Sequence, residues 1–420
     1  METKAIRLYG KEDLRLEKFE LPAIKEGEIL ASVISDSICM SSYKAAKQGA
    51  EHKRVPDNVL DNPVIIGHEF SGQILEVGSK WKHKFSPGMK YTIQPALNYK
   101  GSLDAPGYSY AYIGGNATYI IIPEEVMEMD CLLPYSGDAY FLGSLAEPMS
   151  CVVGAIHANY HTKAGSYVHD MDIKEGGNLA LLAGVGPMGL GAIDYILHRE
   201  RRPSKMVVTD IDQARLDRAE LLYSPAEAAR YGIELIYVNA KDAEQTEKKL
   251  MILTGDSGFD DVFVFAPVRP VLEMGDRILG NDGCLNFFAG PSESDFKASL
   301  NFYRVHYDST HITGTSGGNT SDMIEALQMM SSGKVNPAVM VTHVGGLDSV
   351  IDTTLHLPSI PGGKKLIYTH VSMPLVALAD IESKRNENAF YAGLADIVSA
   401  NNGIWNTEAE NYIILNAPKI

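Results

Sequence analysis

The stretch Gly67-His68-Glu69-Phe70-Ser71-Gly72 sets an imidazole beside a carboxylate between two glycines, directly after the apolar run Val64-Ile65-Ile66. Such a pair can hold a borderline-soft metal ion if a thiolate joins it and one coordination position stays open. Cys39, in Ser37-Ile38-Cys39-Met40-Ser41-Ser42, is the candidate thiolate, and Ser41 offers a hydroxyl two residues on. A further carboxylate, Glu147, stands in Leu145-Ala146-Glu147-Pro148. The plainer alternative is a core cysteine, a satisfied core histidine and a surface glutamate.

A second, independent signal lies downstream. Leu179-Ala180-Leu181-Leu182-Ala183 reads as a buried strand, and Gly184-Val185-Gly186-Pro187-Met188-Gly189 follows it without a gap and opens an apolar-faced helix. In that context the first glycine permits a tight turn, the second lets backbone approach a pyrophosphate, and the third lets helix and strand pack closely. The next strand, Met206-Val207-Val208-Thr209, ends at Asp210, 21 residues after Gly189, where a ribose-binding acid belongs. Its carboxylate favours NAD(H). A 2′-phosphate held at about 4 Å would meet a like charge at a cost of roughly 4 kcal/mol for an effective dielectric near 20. Arg215 leaves NADP(H) open if it reaches the ribose.

The elements that must position these residues follow from patterning. Residues 1 to about 35 alternate in short apolar and polar runs broken by Pro22 and Gly27, which predicts strands forming a wall that carries Cys39. A helix starts near Ser41 and leads into Lys44, Lys47, His52, Lys53 and Arg54, a basic cluster in an acidic chain. For Lys47 and Lys53 a solvated helix face is the better reading. A Tyr/Gly/Ser/Pro-rich loop from Asn98 to Gly115 suits a sugar, whose hydroxyls need donors and whose carbon face stacks on rings. Met149 to His161 reads as a helix with Cys151 in the core, and His157 and His161, four apart, could mimic a metal pair but sit after the motifs and have no Glu partner. Thr162 to Gly177 is a polar loop of unassigned purpose. Beyond Asp210, strands at Glu234–Val238, Val262–Phe265 and Cys284–Phe288 alternate with helical segments and predict a doubly wound parallel sheet.

A chain of 420 residues has room for two cores. Its formal charge of −16 and lack of a concentrated basic run argue against nucleic acid as a partner. No stretch has the length of a membrane span and the N-terminus lacks an apolar signal region, so a cytoplasmic protein is expected. The four cysteines are widely spaced and form no CxxC, which disfavours a disulfide framework or a four-thiolate zinc site.

Taken together, Cys39 with Ser41, the Gly67–Gly72 signature, Gly114-Gly115-Asn116-Ala117-Thr118-Tyr119, Glu147-Pro148 and the glycine motif resemble the zinc-containing medium-chain dehydrogenase/reductase superfamily, in its polyol dehydrogenase branch. The tail from Val371, with Asn401-Asn402-Gly403-Ile404-Trp405 and Glu408-Ala409-Glu410, is similar to the C-terminal extension of L-sorbose 1-phosphate reductases. The resemblance implies an α/β chain: a GroES-like β-rich catalytic domain over residues 1–155, a Rossmann domain over 156–299, and completion of the catalytic domain by 300–420. It implies one catalytic zinc held by Cys39, His68 and a carboxylate, either Glu69 or Glu147. No structural zinc is expected, because Gly101–Tyr108 stands where many relatives carry a zinc-binding lobe. Zinc acts there as a Lewis acid, able to lower the pKa of a coordinated water from 15.7 to roughly 7.

By the same resemblance Ser41 passes the hydroxyl proton toward solvent, although a plain helix N-cap is the alternative. Lys44 replaces a histidine that many relatives place in the relay. Asn116 replaces an aromatic residue and would widen the pocket. The implied activity is hydride transfer between NAD(H) and a ketose/polyol pair, with L-sorbose 1-phosphate and D-glucitol 6-phosphate as the narrow expectation. An unphosphorylated polyol or other secondary alcohol, or a non-catalytic nucleotide-binding sensor, are the alternatives. For a phosphate the candidate cations are Lys44, His52, Arg54 and Arg304. A homo-oligomer paired through nucleotide-domain strands is also implied.

Overall fold

The computed structural model describes residues 1–291 and 293–420. Contacts divide the chain into two units: 1–148 with 319–333 and 337–420, and 149–318 with 334–336. Among the described residues no helix is long and apolar enough to cross a membrane, and all four cysteines are free.

The first unit opens with β1 (Glu2–Gly10), β2 (Asp13–Glu20), β3 (Ile29–Ile38), β4 (Val64–Ile65), β5 (Phe70–Val77), β6 (Lys90–Ile93), β7 (Tyr119–Ile122) and β8 (Leu132–Pro134). β3 is its axis. Nine-tenths of it is buried, as its near-continuous apolar and small residues demand. Along one edge β3 pairs antiparallel with β5, Asp36 opposite Phe70, and along the other its first half pairs with β7. Ile29, Ala31 and Val33 of β3 pack with Phe70, Ile74, Tyr91 and Ile120 in one core. A second core holds Ile38, Ala45 and Ala46 against Ile66, Tyr108 and Val350.

The second unit contains the hairpin β9 (Tyr160–His161) and β10 (Asp170–Met171), then β11 (Asn178–Leu182), β12 (Lys205–Asp210), β13 (Glu234–Asn239), β14 (Phe259–Val264), β15 (Leu279–Phe287) and β16 (His311–Thr313). The last six form one sheet in the order β13-β12-β11-β14-β15-β16, and every neighbouring pair is parallel. Chain direction across the sheet reverses between β11 and β14, so the carboxyl end of β11 is the topological switch point where this architecture receives ligands. The helix expected over Met149–His161 spans Ala146–Ala158, and His161 lies instead in β9.

The chain then returns to the first unit with β17 (Val341–Gly346), β18 (Lys364–Tyr368) and β19 (Val376–Ala377). β18 pairs antiparallel with the second half of β3, Lys365 opposite Ile38. The return falls at Asn319 and not near residue 300, because β16 is a sixth parallel strand paired with β15. The front boundary likewise falls at Pro148 and not at 155.

Candidate active site

Strand register assembles the site. Ser37 on β3 donates its backbone N–H to the carbonyl of Glu69 at 2.9 Å, and antiparallel pairing then carries Cys39, just past β3, alongside Gly67 and His68, just before β5. On the other side, the Lys365–Ile38 pair brings Lys364 level with Cys39. Three segments remote in sequence thus meet in one row. The Cys39 sulfur, a His68 ring nitrogen and a Glu69 carboxylate oxygen lie within 4.8 Å of one another.

His68 and Glu69 each have defined partners. His68 Nδ1 lies 3.3 Å from Ser42 Oγ, and Nε2 lies 3.2 Å from the Tyr108 hydroxyl. The Lys364 ammonium donates to both Glu69 oxygens, at 2.6 and 2.7 Å, with both side chains buried. Burial alone would raise the Glu69 carboxyl. Lys364 and His68, with hydrogen bonds from Lys364 and Ser37, more than offset it and hold the group below its ordinary range. The Cys39 thiol is pushed up to about 12, first by burial and then by the Glu69 charge. His68 falls to about 4, chiefly by burial, and therefore keeps a neutral ring with a lone pair to give at pH 7.

These charges fit a divalent ion. With Cys39 as thiolate, the pocket holds anions at Cys39, Glu69 and Glu147, whose field reaches Cys39 and Lys364, against the Lys364 ammonium in direct contact with Glu69 and the more distant field of Arg54. A 2+ ion neutralises that set and makes the thiolate affordable, and thiolate, imidazole and carboxylate are zinc donors. Asp36 lies nearby, wholly buried, and is raised well above its ordinary range by burial and then by the Glu69 charge.

One wall comes from the loop between Asn98 and Gly115. Gly107, at φ 80°, lies so close to the carbonyl of Gly67 that a Cβ there would sit 2.0 Å from it. That approach delivers Tyr108 to His68. The Tyr108 ring stacks on His52 with centroids 5.7 Å apart, the Arg54 guanidinium lies 5.7 Å from its centroid, and Ser109 Oγ ties the loop to the Arg54 carbonyl at 2.6 Å. Burial holds the Tyr108 phenol well above its usual range, while a hydrogen bond with Ser41 acts the other way. Ser41 is therefore inside the helix Met40–Gln48 and engaged with Tyr108, and the N-cap position is Cys39. Lys44 and Lys53 add positive field at His52, which burial first and then Arg54 hold below its ordinary pKa.

Other candidates are placed elsewhere. The Asn116 amide donates to Asp36 at 2.6 Å and braces β3, so it does not widen a pocket. Arg304 gives its guanidinium to the carbonyls of Asp276, Arg277 and Leu279 and to Asp308, which leaves it a structural residue of the second unit. His161 contacts Asp261 and Asp282, whereas His157 lies against Tyr195, so the two form no pair. Cys151 is half-buried where a core residue was expected.

In the second unit the glycine motif joins β11 to the helix Pro187–His198 at the switch point. A Cβ on Gly189 would strike the Gly184 carbonyl at 2.1 Å, whereas one on Gly186 would meet nothing within 4 Å. Gly189 therefore serves the strand–helix packing, and Gly186 faces open space beside Pro187 and Met188, as a phosphate-receiving loop requires. Asp210 ends β12 with its carboxylate accepting from the Asp212 amide at 3.0 Å. The exposed Arg215 points to Asp212, 3.7 Å away.

Residues 25–130 match the alcohol dehydrogenase GroES-like domain, and residues 187–332 match the zinc-binding dehydrogenase domain. The chain is 50% identical to L-sorbose 1-phosphate reductase of Klebsiella pneumoniae over 100% of its own length and 98% of that protein's. The chain belongs to the zinc-dependent alcohol and polyol dehydrogenases. This dehydrogenase is also 51% identical to mannitol-1-phosphate 5-dehydrogenase of Aliivibrio fischeri, covering 98% of this chain and 97% of that one. Its fold matches the crystal structure of 2R,3R-butanediol dehydrogenase from Bacillus subtilis with a TM-score of 0.69, at 21% identity, over 87% of this chain and 99% of that chain. Family membership implies zinc, a nicotinamide cofactor and a small-molecule polyol or sugar phosphate as substrate.

The site also contains residues that sequence reasoning did not single out. Lys364 and Tyr108 are the principal ones, with Ser42 behind His68. A signal existed for Tyr108 in the aromatic composition of its loop, and for Lys364 in the placing of two lysines at the start of an apolar strand.

Proposed function

We propose that this dehydrogenase interconverts a ketose phosphate and its polyol phosphate with NAD(H), with L-sorbose 1-phosphate and D-glucitol 6-phosphate as the leading pair. The observation that carries this reading is the Arg54 guanidinium lying over Tyr108, whose hydroxyl touches His68. In a chain of formal charge −16, a cation one side chain away from the metal ligands is where an anionic substrate group would be received. Two relatives near 50% identity carry names that specify hexose- or hexitol-phosphate chemistry.

In this reading Cys39, His68 and Glu69 hold one zinc ion, with Glu147 as a second carboxylate close by. Bound zinc supplies Lewis-acid polarisation of the substrate oxygen, and bound NAD(H) supplies or accepts the hydride. Lys364 fixes the Glu69 carboxylate, Ser42 fixes the His68 ring, and Ser41 moves the hydroxyl proton. Lys44, His52 and Arg54 receive the phosphate. Gly184, Gly186, Pro187, Met188 and Gly189 receive the pyrophosphate, and Asp210 accepts the ribose hydroxyls, which favours NAD(H) over NADP(H).

A kinetic panel of phosphorylated and free ketoses with NADH and NADPH tests this. Arg54→Ala and Lys44→Ala should each raise KM for the ketose phosphate about tenfold or more, the scale of one charge-assisted contact, and leave KM for the free ketose unchanged. Equal losses on both substrates would remove the phosphate reading and favour an unphosphorylated polyol.

A further inference from the structure

Tyr108 is the aromatic side chain that reaches the metal ligands, and it comes from the loop between Asn98 and Gly115, whose approach depends on Gly107 lying against Gly67. Its hydroxyl touches His68 Nε2 at 3.2 Å, shares a hydrogen bond with Ser41 and feels the charges of Cys39 and Glu147. It meets the Nε2 edge of the imidazole, while Ser42 Oγ occupies the Nδ1 edge. A metal ion on Nε2 would displace the Tyr108 contact and leave the Ser42 contact in place.

We infer that Tyr108 is a substrate-contacting residue of this dehydrogenase, its phenol O–H donating a hydrogen bond to the oxygen of the carbon that is reduced or oxidised. The inference rests on the zinc-site reading above. With the proton of the neutral imidazole on Nδ1, toward Ser42, Nε2 is free to accept from Tyr108. With a metal ion bound at Nε2, the phenol would lose that acceptor while His52, Arg54 and the Ser109–Arg54 tie hold its ring in place. An O–H fixed beside these side chains, with the Ser41 hydroxyl as its remaining hydrogen-bond partner, is a preorganised donor for charge that develops on the substrate oxygen. Ser41, hydrogen-bonded to the same phenol, then links that oxygen to the helix Met40–Gln48.

Tyr108→Phe removes the hydroxyl and keeps the ring. In the full-length, zinc-loaded enzyme its kcat should fall about 10- to 100-fold, with KM within about twofold, because the lost bond strengthens as charge builds. The carbonyl substrate is whichever member of the ketose panel the wild type turns over, so activity confined to a free ketose sinks the phosphate reading and leaves this measurement intact. Competition of the metal-free protein with a chromogenic zinc chelator gives a readout independent of turnover. Zinc affinity should rise about fivefold in Tyr108→Phe, since no hydroxyl competes for Nε2. An unchanged kcat overturns the inference. So does a zinc affinity that falls, because Tyr108 would then be holding His68 for the metal and not meeting the substrate.

Discussion

Lys364 bonds both oxygens of Glu69 in a pair that water barely reaches. Removing one partner of a buried pair leaves the other charge uncompensated and costs about 3–5 kcal/mol, whereas replacing both is far milder. Lys364→Met should therefore lower the urea-unfolding free energy of the metal-free protein by roughly that amount, and the double variant Glu69→Gln/Lys364→Met should recover most of it. A double variant as unstable as the single one would show that the loss is packing. Glu69 was legible in the sequence because it adjoins His68 between glycines. The pairing with Lys364 was not, since two lysines opening an apolar strand mark the position but, 295 residues away, no local pattern ties it to Glu69. Asn116 was misread for the same reason: its amide is spent on Asp36, 80 residues back.

Elements impose their own constraint through the C-terminal helix Thr407–Asn416, which inserts Glu410 into the first unit. Glu410 accepts the backbone N–H groups of Tyr140 and Phe141, at 2.5 and 2.8 Å, and the Tyr368 hydroxyl at 3.1 Å, while the Trp405 indole N–H donates to Tyr368 at 2.8 Å. One carboxyl thus caps the helix Tyr140–Ser144, just ahead of Glu147, and clamps the far end of β18, the strand that starts at Lys364. Burial raises Glu410 from 4.5 to about 7, and its two backbone donors and Tyr368 only partly oppose that. A folded pKa above the unfolded one means that the native state binds the extra proton, so this contribution is largest near pH 4.5 and is lost as pH rises to 7. A shift of that size is worth about 3 kcal/mol. The stability difference between wild type and Glu410→Gln, measured by urea unfolding from pH 5 to 8, should narrow with rising pH by an amount of that order. A difference flat across the range would mean the carboxyl is ionised throughout. Strands were the most legible elements, because β3, β12 and β18 announce themselves by apolar runs. The reach of the tail helix was not legible, because Glu410 reads as a solvated acid until its partners at 140, 141 and 368 are known.

At the scale of the whole molecule, Cys39, His68, Glu69, Glu147 and Lys364 all belong to a unit assembled from three chain segments, whereas the glycine motif and Asp210 belong to one that is nearly continuous. The two-domain α/β plan was readable from the alternation of strands and helices. The return point was not, since the single strand His311–Thr313 carries no mark of which sheet it joins. This division sets how ligands act on stability. A ligand stabilises the unit it binds by an amount that grows with the logarithm of its concentration over Kd, about 2.7 kcal/mol at 100 times its Kd. Calorimetry should resolve two transitions. Zinc removal should lower only the one belonging to the first unit, since without a cation the Cys39 thiol reprotonates and the site loses its cross-link between β3 and β5. NADH should raise only the other. Both ligands shifting a single shared transition would mean that the two units unfold as one, and that the stability of the zinc site is set by the nucleotide unit as much as by its own strands.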